Sequence, residues 1–321
     1  MPTPALGACR EIRLCLPEPA PAPDSAPGLA RKRERLFRAR EREREREWEN
    51  SHFSDRLLAS RILASAVVGL SLLAAQPLRA ATPDPLELMR QSDKRHRLAA
   101  ERTVGTMTLQ EKNGEPRSRT FESIAVQDDA RGDKTRIVFS APADIKDTTL
   151  LSIETADGKD TEQWLYLPAF RKTRRLGASE LGDRFVGSDL FFEDMQRREV
   201  DDYAYTLTGA ERVDGADCYI IEAVPKAPKV VKESPYGKSQ MWLRKDNLVV
   251  VRAKISDRRL RPLKEVVVEG LRQVRGDVWR ADKMIIVDVQ RQHRTVMTTT
   301  ERDISYVPPE NVFNSRQLGS R

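Results

Sequence analysis

Between residues 100 and 306 apolar side chains recur with a period of two, and the breaks in that alternation carry turn chemistry instead of helical signals. "RTVGTMTLQE" sets Thr103, Met107 and Leu109 against Val104, Thr106 and Thr108 with one slip at Gly105, and Asn113-Gly114 supplies a hairpin turn. Further strands follow at "SRTFESIAVQD", "KTRIVFSAP", "TTLLSIETA" and "QWLYLP", with "ADGKD" as another tight turn. Hairpins are expected about Asp214-Gly215 and Asp246-Asn247, and residues 262–306 give three more strands, turning at Arg275-Gly276-Asp277 and around Gln292-His293. Ten or eleven strands joined this way predict an antiparallel meander. Such a sheet must curl and bury one face. A short helix near 84–98, with Asp84 as cap, Pro85 in its first turn and Leu86, Met89 and Leu98 on one side, is expected to cover that face, as is a second helical stretch near 178–198.

The first eighty residues read differently. Residues 1–30 are rich in Pro and Ala, and residues 31–49 alternate Arg with Glu, so this stretch buries too little apolar area to offset its ordering entropy. The balanced signs also argue against a phosphate-binding arm. Arg56 and Arg61 then precede an apolar run from Ile62 to Ala75 that is too short for ~30 Å of hydrocarbon but fits the core of a secretory signal. We therefore expect a disordered upstream segment over 1–55, a signal peptide over 56–80 cleaved between Ala80 and Ala81, and a single exported, folded domain over 81–321. The upstream segment is expected to be a gene-start artefact, with synthesis beginning near residue 50.

Of the 56 Lys and Arg and 49 Asp and Glu, 14 and 10 precede residue 81, leaving 42 against 39, or +3. The exported part is thus not strongly basic. Its only cysteine is Cys218, so no intrachain disulfide can form and stability must come from the core.

"TEQWLYLPAFRKTRRL" followed by "FVGSDLFFED", within an all-antiparallel pattern behind a signal peptide, resembles the outer-membrane lipoprotein-sorting family of LolA/LolB-like periplasmic proteins, and within it the exporter-associated branch. The resemblance covers most of residues 84–318. It implies a mainly β fold, a strongly curved antiparallel half-open barrel with a few covering helices. It also implies a carrier role, with acyl chains of lipids or lipoproteins held in the concave cavity and no cofactor.

The twelve residues "DRFVGSDLFFED" (183–194) invite a catalytic reading with Ser188 as nucleophile. Against it, no Gly-x-Ser-x-Gly elbow is present, and the only histidines of the exported part, His96 and His293, fall in the first helix and at a hairpin turn. Nor does any Asp-x-Asp loop or His-x-x-x-His pair complete a metal site around Asp189, Glu193 and Asp194. The architectural reading makes the segment a cavity rim or lid. Asp183 or Asp189 caps a turn, Phe185, Phe191 and Phe192 fill the concave face, and the acids meet Arg171, Arg174 and Arg175 across the strand end, with Lys172 in the same cationic patch. Trp164, Tyr166, Met241, Trp242, Met284, Ile286 and Met297 are the remaining candidate liners, because rings and thioethers adapt to flexible alkyl chains. A lid held by partly solvated ion pairs would open at little cost. The alternative is a non-lipid-binding adaptor of an RND-type exporter; a packed concave face would favour it, whereas an apolar cavity of several hundred Å³ would favour the carrier.

Overall fold

The computed structural model describes residues 82–155 and 160–319. The expected upstream segment, signal peptide and cleavage point lie outside them. The described chain forms one curved antiparallel sheet of 13 strands that does not close, in the order β6-β5-β4-β3-β2-β1-β15-β14-β11-β10-β9-β8-β7. Its first part comprises β1 (Ala100–Glu111), β2 (Arg117–Val126), β3 (Lys134–Ala141), β4 (Thr149–Glu154), β5 (Thr161–Leu167) and β6 (Lys172–Arg175). The second comprises β7 (Tyr203–Val213), β8 (Ala216–Pro225), β9 (Tyr236–Arg244), β10 (Val250–Asp257) and β11 (Pro262–Glu269). β14 (Lys283–Asp288) and β15 (His293–Asp303) complete it, and β15 pairs with β1 to join the two halves.

Turn chemistry decides where the strands reverse. Asp214 and Gly215 both take positive φ, 47° and 82°, in the two-residue turn between β7 and β8, as a primed hairpin turn requires. At Gly105 the period-two pattern slips because the β1–β15 register shifts between Val104 and Gly105, a bulge that bends the strand. A Cβ at Gly105 would overlap the Thr298 carbonyl oxygen, so only glycine permits that approach. Beyond the bulge Met107 and Leu109 turn inward and are buried.

Two expectations change. The turn at Arg275–Asp277 does not join consecutive strands of the main sheet; it closes a separate hairpin of β12 (Arg272–Arg275) and β13 (Val278–Arg280) inserted between β11 and β14. The second helix near 178–198 is replaced by short 3-10 turns at Ala178–Glu180, Phe185–Gly187 and Phe192–Met195, since Gly182, Gly187 and the positive φ of Val186 interrupt any longer helix. The first helix, α1 (Pro85–Arg95), forms as its sequence predicts, with Asp84 accepting from the Leu86 N–H at 3.1 Å and Pro85 opening the first turn. Leu88 and Met89 pack it onto the Tyr203, Ile221, Met241 and Leu243 cluster of β7–β9. A second helix, α2 (Pro228–Glu233), lies between β8 and β9. Among the described residues no helix is long and apolar enough to cross a membrane.

Candidate ligand-binding site

The inner face of the sheet carries the segment from Asp183 to Arg197, and that segment is fastened from both sides. Phe185 and Phe192 join a chain of rings that runs from Phe121 through Phe139, with centroids 5.7 to 6.4 Å apart, a spacing favourable for aromatic pairs. Gln163 of β5 donates to the Phe192 carbonyl at 3.0 Å and to Ser152 Oγ at 3.1 Å. On the opposite side, Asp189 Oδ2 accepts from Thr295 Oγ1 and faces His293 Nδ1, both at 2.7 Å, while Thr295 Oγ1 accepts from the Asp189 N–H at 2.9 Å. Arg184 pairs with Asp288, and its Nη1 stands 3.6 Å from Asp189 Oδ1.

A second buried cluster lies one turn further on. Lys264, 2% exposed, donates to Asp194 Oδ2 at 2.9 Å and to the Tyr236 hydroxyl at 2.5 Å, and Tyr236 OH in turn donates to Asp194 at 2.7 Å. Burial pulls the Lys264 ammonium below its ordinary range and pushes the Tyr236 phenol well above its own, with Asp194 adding to the latter. Phe191 is clamped between these groups: its ring stacks on Tyr236 at 5.5 Å, with Lys264 3.6 Å and Arg184 5.2 Å from its centroid. Beside it, burial raises Glu193 to about 7 against the pull of the Ser234 hydroxyl.

These contacts correct the expected lid. Asp189 and Asp194 do not meet Arg171, Arg174 or Arg175; they turn inward to β15 and β11, whereas Arg174 pairs with Glu180, and Arg175 with Glu162 at 2.6 Å. Arg171 and Lys172 are exposed at the β5–β6 tip. A segment tied by desolvated ion pairs is a fixed belt, not a lid of low opening cost. Ser188 is fully buried, and its hydroxyl donates to the Phe185 carbonyl at 2.7 Å while accepting from the Leu190 N–H at 3.2 Å. His293 comes close to this loop after all, but onto Asp189.

Between belt and sheet lies an apolar hollow of about 460 Å³, lined by Phe121, Ile137, Leu190, Val266, Met284, Ile286 and Met297 among others. It meets a smaller space of about 290 Å³ at Ala125, Ile137, Asp194 and Met195. That space adjoins a polar chamber of about 780 Å³ at Glu154, Thr161, Gln196 and Arg197. The polar chamber spans from β5 and β6 to α2 and β9, across the open side of the sheet, and includes Arg175, Glu193 and Asp194.

The candidate liners therefore divide. Met284, Ile286 and Met297 border the apolar hollow. Phe185 and Phe192 fill the core beside it. Met241 packs in the cluster under α1. Trp164, Tyr166 and Trp242 are corrected: each alternates with an inward neighbour and so faces outward. Trp242 packs with Val213, Cys218 and Val251 and donates its indole N–H to Glu211 at 2.7 Å, while Tyr166 is covered by Gly319 of the C-terminal tail. Missing from the expected set were Gln163, Arg184, Lys264, Asp288, His293 and Thr295. A signal existed for several of them. Lys264 shares its parity with Val266, Gln163 with Leu165, and His293 and Thr295 with Met297, so each is a polar residue at an inward register.

A family model described as "Uncharacterized protein" matches residues 131–320. No curated protein matches the chain. Among solved structures, an outer membrane lipoprotein-sorting protein domain from Vibrio parahaemolyticus is 26% identical, covering 73% of this chain and 97% of its own, with a TM-score of 0.67. A DUF1329 family protein from Desulfovibrio piger is 28% identical, covering 74% and 100%, with a TM-score of 0.68. A LolA superfamily protein from Nitrosomonas europaea shares the fold at 15% identity, covering 72% and 98%, with a TM-score of 0.57. With the unclosed antiparallel sheet, these matches place the protein: the chain belongs to the family whose model spans residues 131–320, and it has the LolA-like fold of the outer-membrane lipoprotein-sorting domain to which it is similar.

Proposed function

We propose that the protein is a non-catalytic periplasmic carrier that holds the acyl part of a lipid or lipoprotein in its inner hollow. The observation that carries this reading is the apolar space of about 460 Å³ that the belt leaves open between Phe121, Val266, Ile286 and Met297. Its size falls in the range of ligand sites. An adaptor that only docks has no use for such a space, because a packed core would be more stable. Burying about ten methylenes would contribute roughly 8 kcal/mol before the ordering cost of association. The adjoining polar chamber suits the headgroup of an amphiphile, which would otherwise be stranded in apolar surroundings. The periplasmic assignment draws on the signal-like leader and on the sorting role named for the Vibrio relative.

Protein purified without denaturant is expected to release amphiphile on organic extraction, at near one molecule per chain. Protein that carries none, and takes up none from added lysophospholipid, would contradict the reading.

A further inference from the structure

The β10–β11 turn is built in an unusual way. Asp257 accepts from the Arg259 and Arg261 N–H groups at 2.9 and 3.0 Å and from Arg261 Nε at 2.9 Å, and the Leu260 N–H donates to the Asp257 carbonyl at 2.8 Å. This staple holds Leu260 at φ 60° with 61% of its surface exposed. A bulky residue in the left-handed region is an outlier, where glycine or asparagine would be the unstrained choice. One methyl of Leu260 lies against Gly237 of β9, yet most of the side chain is left in solvent.

The neighbourhood says what the side chain is displayed to. Arg258 donates to the Val231 carbonyl of α2 at 3.0 Å, so the turn and the helix form one surface, and Val231 is itself 51% exposed. Next to the two apolar residues in the chain stand Lys232, Arg258 and Arg259, all exposed and none with a carboxylate partner among the described residues. The opposite side of α2 is different: Val230 and Glu233 line the polar chamber. Two apolar points flanked by cations without carboxylate partners, beside the wall of the chamber, match a bilayer surface with anionic headgroups, where the cations meet phosphates and the apolar tips enter the interface.

We propose that α2 and the β10–β11 turn form a docking surface for anionic membrane, placing the chamber against the lipid. The surface rests on its own residues, but its use in loading or delivery rests on the carrier reading. The test is co-sedimentation with vesicles of phosphatidylglycerol and phosphatidylcholine, compared with vesicles of phosphatidylcholine alone. Wild type should bind the anionic vesicles and release at high salt, with each Arg→Glu change at 258 or 259, a reversal of two charges, lowering partition about thirtyfold at roughly 1 kcal/mol per charge near the surface. Leu260→Asn should weaken binding while keeping or raising the melting temperature, because asparagine tolerates the left-handed backbone. No binding, equal binding to neutral vesicles, or wild-type binding by the Arg258→Glu/Arg259→Glu double variant would overturn the proposal; capture of an acidic protein by the same surface without vesicle binding would do so too. Amphiphile content measured on the same samples separates the two claims, since cargo without vesicle binding removes the docking surface and leaves the carrier.

Discussion

His293 and Asp189, joined through Nδ1 and Oδ2 at 2.7 Å with both side chains withdrawn from solvent, tie the belt across the inner face to the first residue of β15. Thr295 donates to the same Oδ2, and Arg184, paired with Asp288, stands 3.6 Å from the Oδ1 that has no hydrogen-bond partner among the described residues. An apolar wall thus has a polar anchor, and its removal has a calculable penalty.

Asp189→Asn is expected to destabilise the protein by about 3 kcal/mol, since breaking a buried pair leaves its partners desolvated without compensation. Denaturant unfolding at neutral pH measures it. A loss below about 1 kcal/mol would mean that the belt is held by its phenylalanines alone.

The contribution of Glu193 and Glu199 to stability should fall as pH rises from about 5 to about 8. Burial raises Glu193 to about 7, and burial, opposed by Arg197 and reinforced by Glu154, does the same for Glu199. In the unfolded chain both titrate near 4.5, so through this window the folded state binds more protons and is favoured at the acid end. For Glu193 the difference is roughly 3 kcal/mol. Glu193→Gln should flatten the profile of melting temperature against pH, and an unchanged slope would show that this carboxyl is solvated.

Gly105→Ala should lower stability by about 1–3 kcal/mol, because its Cβ would collide with backbone at Thr298 where no flexible side chain can give way. Thermal melts read the effect. A neutral substitution would mean that the bulge can relax.

The alternation and turn chemistry in the sequence suffice for a curved antiparallel meander, down to the slip at Gly105 that proves to be a bulge, whereas its openness is implied only by the family resemblance. The inserted β12–β13 hairpin was not legible, because a Gly turn between two apolar runs looks the same whether the runs belong to one sheet or two. For the site, alternation indicated two faces at Trp164 and Trp242 but not which face was inner; that depends on the partners of the neighbouring strands. The partners of Asp189 and Asp194 are not legible in the sequence, because the nearby Arg171–Arg175 run is close in the chain but not in space. Their true partners, His293 and Lys264, lie 104 and 70 residues away.

Trp242→Ala separates fold from site. The ring is 5% exposed on the outer face, so its loss should cost about 3 kcal/mol of stability yet leave acyl binding unchanged. Weakened binding in folded protein would move the site to the other face.

The central claim is that the hollow between belt and sheet is a place for an acyl chain, and titration with a solvatochromic fatty-acid probe tests it most directly. Ser123, half-buried on the hollow's wall, is the position to fill. Delipidated wild type is predicted to bind the probe saturably at micromolar or tighter affinity, and folded Ser123→Trp to lose at least tenfold, about 1.4 kcal/mol. Equal affinity in the two proteins, or no saturable binding in the wild type, would contradict the account.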